Sequence, residues 1–224
     1  MTKYIIGIDE VGRGSSAGPV TVTALAIPSS CKLKIPTPSI KFYRKGRDSD
    51  RRVGVANYKL PLRDSKKLSS KQREEWFTYL KNNQKIIYAT AHIQPSVVDR
   101  INISQAANLA ASRALARLVT CNKRHATCKK IKIFLDGGLF IRPIPKKLVT
   151  CNLSLVTVVR GDEKIKAISL ASIVAKVTRD RLMVRLHKKY PKYRFDIHKG
   201  YGTKKHMAAV RRFGPSEKHR LTFM

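Results

Sequence analysis

Two adjacent carboxylates, Asp9 and Glu10, close a short apolar run made of Tyr4, Ile5, Ile6 and Ile8. Charge at the mouth of a core strand is costly to desolvate unless something compensates it. Directly behind stand Gly12, Arg13, Gly14 and Gly18, which let the backbone turn sharply and approach a ligand, with Arg13 held between two glycines. The same grammar recurs twice. KIKIFL at 130–135 ends in Asp136-Gly137-Gly138, and LSLVTVV at 153–159 ends in Arg160-Gly161-Asp162. In open α/β sheets ligands collect outside the carboxyl ends of the strands, so the spacing predicts that these acids converge. Asp9, Glu10, Asp136 and Asp162 cannot all stay ionised in one pocket without cations, because like charges at close range raise one another's pKa values. Oxygen ligands in that number suit Mg²⁺ or Mn²⁺. Two such ions close together activate a water and stabilise the departing oxygen of an in-line displacement at phosphorus. The plainer reading of the opening stretch is a strand, a Glu10–Arg13 ion pair and a glycine-rich turn.

The elements that would carry these acids follow from apolar periodicity. Pro19 to Ile27 alternates loosely and reads as a strand returning antiparallel to the first. A helix is predicted over Ser70–Asn82, with Trp76, Phe77 and Leu80 as its buried face, then a strand from Lys85 to Ile93 and a short helix or turn over Pro95–Ile101. Asn102 can cap the next helix, with Gln105 at its third position, and the many alanines that follow imply close approach to a sheet. A long helix is predicted from about Lys164 to Tyr190, and another over Lys204–Phe213. This alternation is that of an α/β protein, and the length favours one catalytic domain over residues 1–224.

Lys+Arg 47 against Asp+Glu 14 gives a formal charge of +33. Such an excess predicts a polyanionic partner, since each phosphate neutralised releases condensed counterions. A general proteome bias or association with ribosomes would produce the same basicity. Hydrolysis of sugars by a carboxylate pair would explain neither that charge nor four acids. Residues 31–63 carry ten Lys or Arg against Asp48 and Asp50, with no sustained period, and read as a basic insertion with a hairpin around Val53 to Leu60. It is either an electrostatic arm for nucleic acid, with Phe42, Tyr43 and Tyr58 available for stacking, or a solvated loop. Cys31, Cys121, Cys128 and Cys151 form no C-x-x-C pair, which argues against structural zinc. No signal peptide or membrane-spanning run is evident, so the expected location is cytoplasmic, with free thiols and no membrane partner.

GIDEVGRG with AGPV after it, DSKKLS, the NISQA helix start, FLDG, RGD followed by SLASIVAKVTRD, and HKGYGT with a terminal HR together resemble the ribonuclease HII family, in that family's order and from Tyr4 to Phe223. The resemblance implies a ribonuclease H-like fold, a mixed five-stranded sheet flanked by helices. It implies metal-dependent cleavage of RNA in RNA/DNA hybrids and at single ribonucleotides embedded in DNA, leaving 5′-phosphate and 3′-hydroxyl ends, by a protein expected to be a monomer. The family's four metal-binding carboxylates fall on Asp9, Glu10, Asp136 and Asp162. Asp180 also lies in a family motif, but it stands roughly 27 Å further along a helix at about 1.5 Å per residue, and is expected to pair along that helix. Asp64 reads as a turn or helix-start acid.

The resemblance assigns recognition of the ribose 2′-OH to the backbone of Gly12, Arg13 and Gly14 together with Tyr201. Glycines let peptide groups reach a sugar, and a phenol offers both a ring and a hydroxyl. Tyr201 as a core aromatic is the alternative. Lys66, Lys176 and Arg179 are candidate phosphate contacts or else solvated cations, and His198 is expected to hydrogen-bond structurally. Ser15 and Ser16 depart from the proline and bulky apolar residue common in the family, and Asp162 stands where the related ribonuclease HIII would carry glutamate. The competing function is a non-catalytic basic nucleic-acid-binding protein whose acids are structural.

Overall fold

The computed structural model describes residues 4–30, 39–43, 53–57, 60–62, 65–121, 130–145, 148 and 152–224. Asp64, Tyr58, Cys31, Cys128 and Cys151 lie outside them, as does the Cys121 side chain. Strands β1 (Tyr4–Val11), β2 (Val20–Pro28), β5 (Ile87–Ile93), β6 (Lys130–Asp136) and β7 (Asn152–Val158) form one sheet in the order β5-β2-β1-β6-β7. β1 runs antiparallel to β2 and parallel to β6, and β6 parallel to β7, so the sheet is mixed as expected. Within the basic insertion, β3 (Ser39–Tyr43) pairs antiparallel with β4 (Val53–Asn57). The expected hairpin around Val53 is therefore made with residues upstream of it, not with those running on to Leu60.

The period of two along β1 divides the molecule into layers. Ile6 and Ile8 pack with Val20, Val22, Ala24 and Ala26 against α2 (Pro95–Ile101) and the alanine face of α3 (Ile103–Cys121). Ile5, with Leu25 and Ile27 of β2, faces α1 (Ser70–Asn82) and the long helix behind it. Gly7 lies on that second face because a Cβ there would overlap the carbonyl of Ala167. The missing side chain lets the helix cross β1 in direct backbone contact.

The long helix predicted over 164–190 is present as α5 (Lys166–Lys189); a short helix that the sequence did not suggest, α4 (Gly161–Lys164), precedes it, and the extended backbone of Ile165 separates the two. α1 begins with a capping box between Ser69 and Gln72, and Phe77 in it is half-buried while Trp76 and Leu80 are fully inside. Asn102 caps α3 through its Oδ1, which accepts from the Gln105 amide at 3.0 Å. The chain ends in α6 (Phe195–His198) and α7 (Lys204–Phe213), gathered around Tyr193, Phe195 and Met183 in a third small core. None of the described helices is long and apolar enough to cross a membrane.

Candidate metal centre

Asp9 and Asp136 each stand one position beyond Ile8 and Leu135, the last paired residues of two parallel neighbours, so their side chains leave the same face of the sheet. Glu10, next along β1, starts from the face that carries α3. The three meet around the end of the sheet, where one carboxylate oxygen from each lies within 4.8 Å of the others. Burial, and then the charge of Glu10, pushes Asp9 well above the ordinary carboxylate range, opposed by a hydrogen bond from Ser172. Burial and Asp136 raise Glu10, opposed by Arg13. Glu10 Oε2 is buried with no hydrogen-bond partner among the described residues. Hard oxygen donors crowded together, Asp9 and Glu10 pushed toward their protonated forms and one oxygen orphaned, fit a small divalent cation.

The structure brings three of the four expected acids together. Asp162, carried by a turn through Arg160 (φ +55°) into the first turn of α4, is not among the acids whose oxygens all lie within 4.8 Å of one another. Its backbone is nonetheless tied to the site. The Gly161 amide donates to Asp136 Oδ1 at 2.7 Å, and Ser169 Oγ donates to the Asp162 carbonyl. Asp180 pairs with Lys176 at 2.9 Å along α5, away from the acids, as expected of it.

Gly12 takes φ +83°, and a Cβ there would overlap Arg179 Nε, so both conformation and space require glycine. Gly14 has nothing within 4 Å of where its Cβ would be, and its backbone lies open. Arg13 Nη1 reaches Glu10 Oε1 at 3.4 Å and Nη2 donates to Ser104 Oγ at 3.1 Å, so the ion pair of the plainer reading is present inside the acid site. Tyr201 is no core aromatic: it is 38% exposed, with the Lys176 ammonium 5.8 Å and the Arg179 guanidinium 5.7 Å from its ring centre. Lys66 is exposed on a 3₁₀ turn, Ser65–Lys67, that precedes α1.

Arg179 corrects an expectation. It is fully buried, and its Nε, Nη1 and Nη2 donate to the carbonyls of Pro19, Lys199 and Ala17, so it holds backbone and presents no guanidinium to a phosphate. His198 is held between the Tyr193 carbonyl at 2.6 Å and the Gly200 amide at 3.2 Å, a structural role.

Sequence reasoning missed Ser172, which bonds Asp9 and meets Ser65 Oγ at 2.8 Å. Its signal was the spacing of Ser169 and Ser172, which places two hydroxyls on one helix face. It also missed the buried Arg220 and the His206–His219 pair.

The sequence profile of Ribonuclease HII matches residues 56–224. Ribonuclease HII of Bacillus cereus (strain B4264) is 38% identical over 220 residues, 98% of this chain and 68% of that protein. The chain belongs to the ribonuclease HII family. It is therefore a ribonuclease H, a hydrolase acting on RNA/DNA hybrids. The alignment to the Bacillus protein takes in nearly the whole chain, whereas the profile match starts after β1 and β2 and so leaves out Asp9 and Glu10. The fold agrees with that of ribonuclease H2 from Pyrococcus horikoshii OT3, at TM-score 0.64 and 22% identity over 98% of this chain and 93% of that one. It agrees also with Bst-RNase HIII, a structure described as a complex with Mn²⁺, at TM-score 0.66 and 17% identity over 98% of this chain and 66% of that one.

Proposed function

We propose that this ribonuclease HII cuts the RNA strand of hybrids and also nicks duplex DNA on the 5′ side of an embedded ribonucleotide, leaving 5′-phosphate and 3′-hydroxyl ends. The observation that carries the reading is the Asp9–Glu10–Asp136 cluster, with one carboxylate oxygen from each acid within 4.8 Å of the others. Asp162, beside the Gly161–Asp136 bond, supplies the fourth carboxylate. Two divalent ions held there, Mg²⁺ or Mn²⁺, supply a lowered pKa to an attacking water and neutralise charge on the departing oxygen.

The chain's own residues do the rest. Ser172 orients Asp9, and Arg13 offsets the charge of Glu10. Gly14 offers an open backbone to the ribose and Tyr201 a half-exposed phenol. Lys66 and Lys176 are the candidate phosphate contacts, Lys66 exposed beside α1 and Lys176 on α5 near the Tyr201 ring. The formal charge of +33, to which residues 31–63 contribute ten Lys or Arg, draws the duplex in. The protein works as one catalytic domain, as a monomer, in the cytoplasm.

The test is cleavage of a DNA duplex containing one ribonucleotide, with Mg²⁺, with Mn²⁺ and with EDTA. A single metal-dependent nick 5′ of the ribonucleotide is expected. Cleavage of long hybrids without that nick would restrict the activity to hybrids, and cutting of all-DNA duplex would overturn the ribose requirement.

A further inference from the structure

The segment from Gly12 to Pro19, which the proposed function sets against the ribose, has no helix or regular ladder to hold it, so its shape must come from other contacts. Two fully buried arginines provide them. Arg179, from α5, donates from Nη2 to the Ala17 carbonyl at 3.1 Å, from Nε to Pro19 at 3.2 Å and from Nη1 to Lys199 at 2.7 Å. Arg220, near the C-terminus, donates from Nε to the Gly18 carbonyl and from Nη1 to the Arg13 carbonyl, both at 3.0 Å, and from its amide to Ser16 at 2.8 Å. Nothing in the chemistry of the acids requires either arginine.

The same C-terminal segment also governs the turn that bears Tyr201. Ser216 donates its amide to His219 Nδ1 at 2.8 Å, which leaves the ring proton on Nε2. That proton faces His206 Nε2 at 3.1 Å, and His206 Nδ1–H then donates to the Tyr201 carbonyl at 2.9 Å. His219 and Arg220 are neighbours in sequence. One short strip of chain therefore fixes the Gly12–Gly14 backbone on one side and the Tyr201 turn on the other.

We propose that Arg220 is a positioning residue for ribose selection: by gripping the Arg13 and Gly18 carbonyls it sets the distance between the Gly12–Gly14 backbone and Tyr201, and so the preference for a sugar bearing a 2′-OH. The inference rests on the reading of those groups as the ribose contacts. Hydrogen-bond recognition tolerates little displacement, and a planar guanidinium spans two carbonyls where a lysine ammonium cannot hold the same fork.

The experiment compares Arg220→Lys with the unmodified protein. Fluorescence anisotropy in EDTA gives the affinities for two duplexes that differ by a single 2′-OH, and calorimetric titration gives the affinity for Mn²⁺. Loss of one well-placed hydrogen bond predicts that the ratio of the two duplex affinities falls by about tenfold, while binding of all-DNA duplex and of Mn²⁺ stays within about twofold. Partial unfolding lowers both duplex affinities alike and leaves their ratio untouched. Should R220K not fold, Arg179→Lys loosens the same loop from α5 and is read the same way. An unchanged ratio in the folded variant overturns the role of Arg220. A parent protein with no preference between the two duplexes overturns the ribose-contact reading beneath it.

Discussion

The Gly161 amide donates a hydrogen bond to Asp136 Oδ1 at 2.7 Å. It joins the turn after β7 to the carboxylate that ends β6, and so ties the backbone next to Asp162 to the acid cluster. A Cβ on Gly161 would lie 2.5 Å from Ile168 Cδ1 and 3.3 Å from Asp136 Oδ1. Gly161→Ala is expected to displace Asp136 and weaken Mn²⁺ binding by roughly tenfold, the usual effect of disturbing a group that orients a metal ligand. Calorimetric titration of Mn²⁺ checks it, and unchanged affinity would show that the bond is incidental.

Asp136→Asn keeps an oxygen for the Gly161 amide but removes a negative charge from the cluster. Turnover should drop by roughly a thousandfold or more while hybrid affinity changes little, since the proposed ribose and phosphate contacts are untouched. Single-turnover kinetics beside anisotropy separates the two. Lost binding with retained turnover would contradict the assignment.

Divalent ions should stabilise the fold itself. Asp9 is held above its ordinary pKa by burial and by Glu10, and Glu10 by burial and by Asp136, so without a cation their ionisation opposes folding as pH rises from the ordinary carboxylate range toward neutrality. A cation that binds only the folded state adds about 2.7 kcal/mol at a hundredfold excess over its Kd. Thermal melting at neutral pH with EDTA and then with excess Mg²⁺ should show a rise in Tm of several degrees, and Asp136→Asn should shrink that rise.

Gly7→Ala tests the layering. The added methyl group meets the backbone of Ala167, which cannot rotate away, so α5 must lift off β1. A loss of about 3 kcal/mol is expected, at the upper end of overpacking in a core. Denaturant titration measures it.

His219 predicts acid sensitivity. Burial and the adjacent His206 lower its pKa from 6.5 to about 4. The unfolded chain therefore takes up this proton first, and the stability present above pH 6.5 is lost as pH falls toward 4, on the order of 2–3 kcal/mol. His206 and His198, also lowered by burial, act in the same direction. His219→Gln carries no titrating ring, so its Tm should decline less over that interval than the parent's, whatever its starting value.

Much of this molecule was legible along the chain. The helix α1 over Ser70–Asn82, the Asn102 cap, the antiparallel return of β2 and the carboxylates at the ends of β1 and β6 are local matters, set by side-chain period and by short-range hydrogen bonds. The short α4 before the long helix was not, because its place depends on a contact between distant strand ends, where the Gly161 amide meets Asp136. Arg179 was misjudged for a similar reason: a lone basic residue on a helix carries no mark of whether it meets solvent or three carbonyls.

Residue order alone determined which acids end strands, which glycines flank Arg13, and that the surface attracts polyanions, because these depend on composition and on neighbours a few positions apart. Only the tertiary structure decided that Asp9, Glu10 and Asp136 share one space while Asp162 falls in a short helix, and that Arg220 reaches back across the chain to the carbonyl of Arg13. Those distances arise from strand register and from helices crossing a twisted sheet. Contacts between residues more than a hundred positions apart leave no period for a sequence to display.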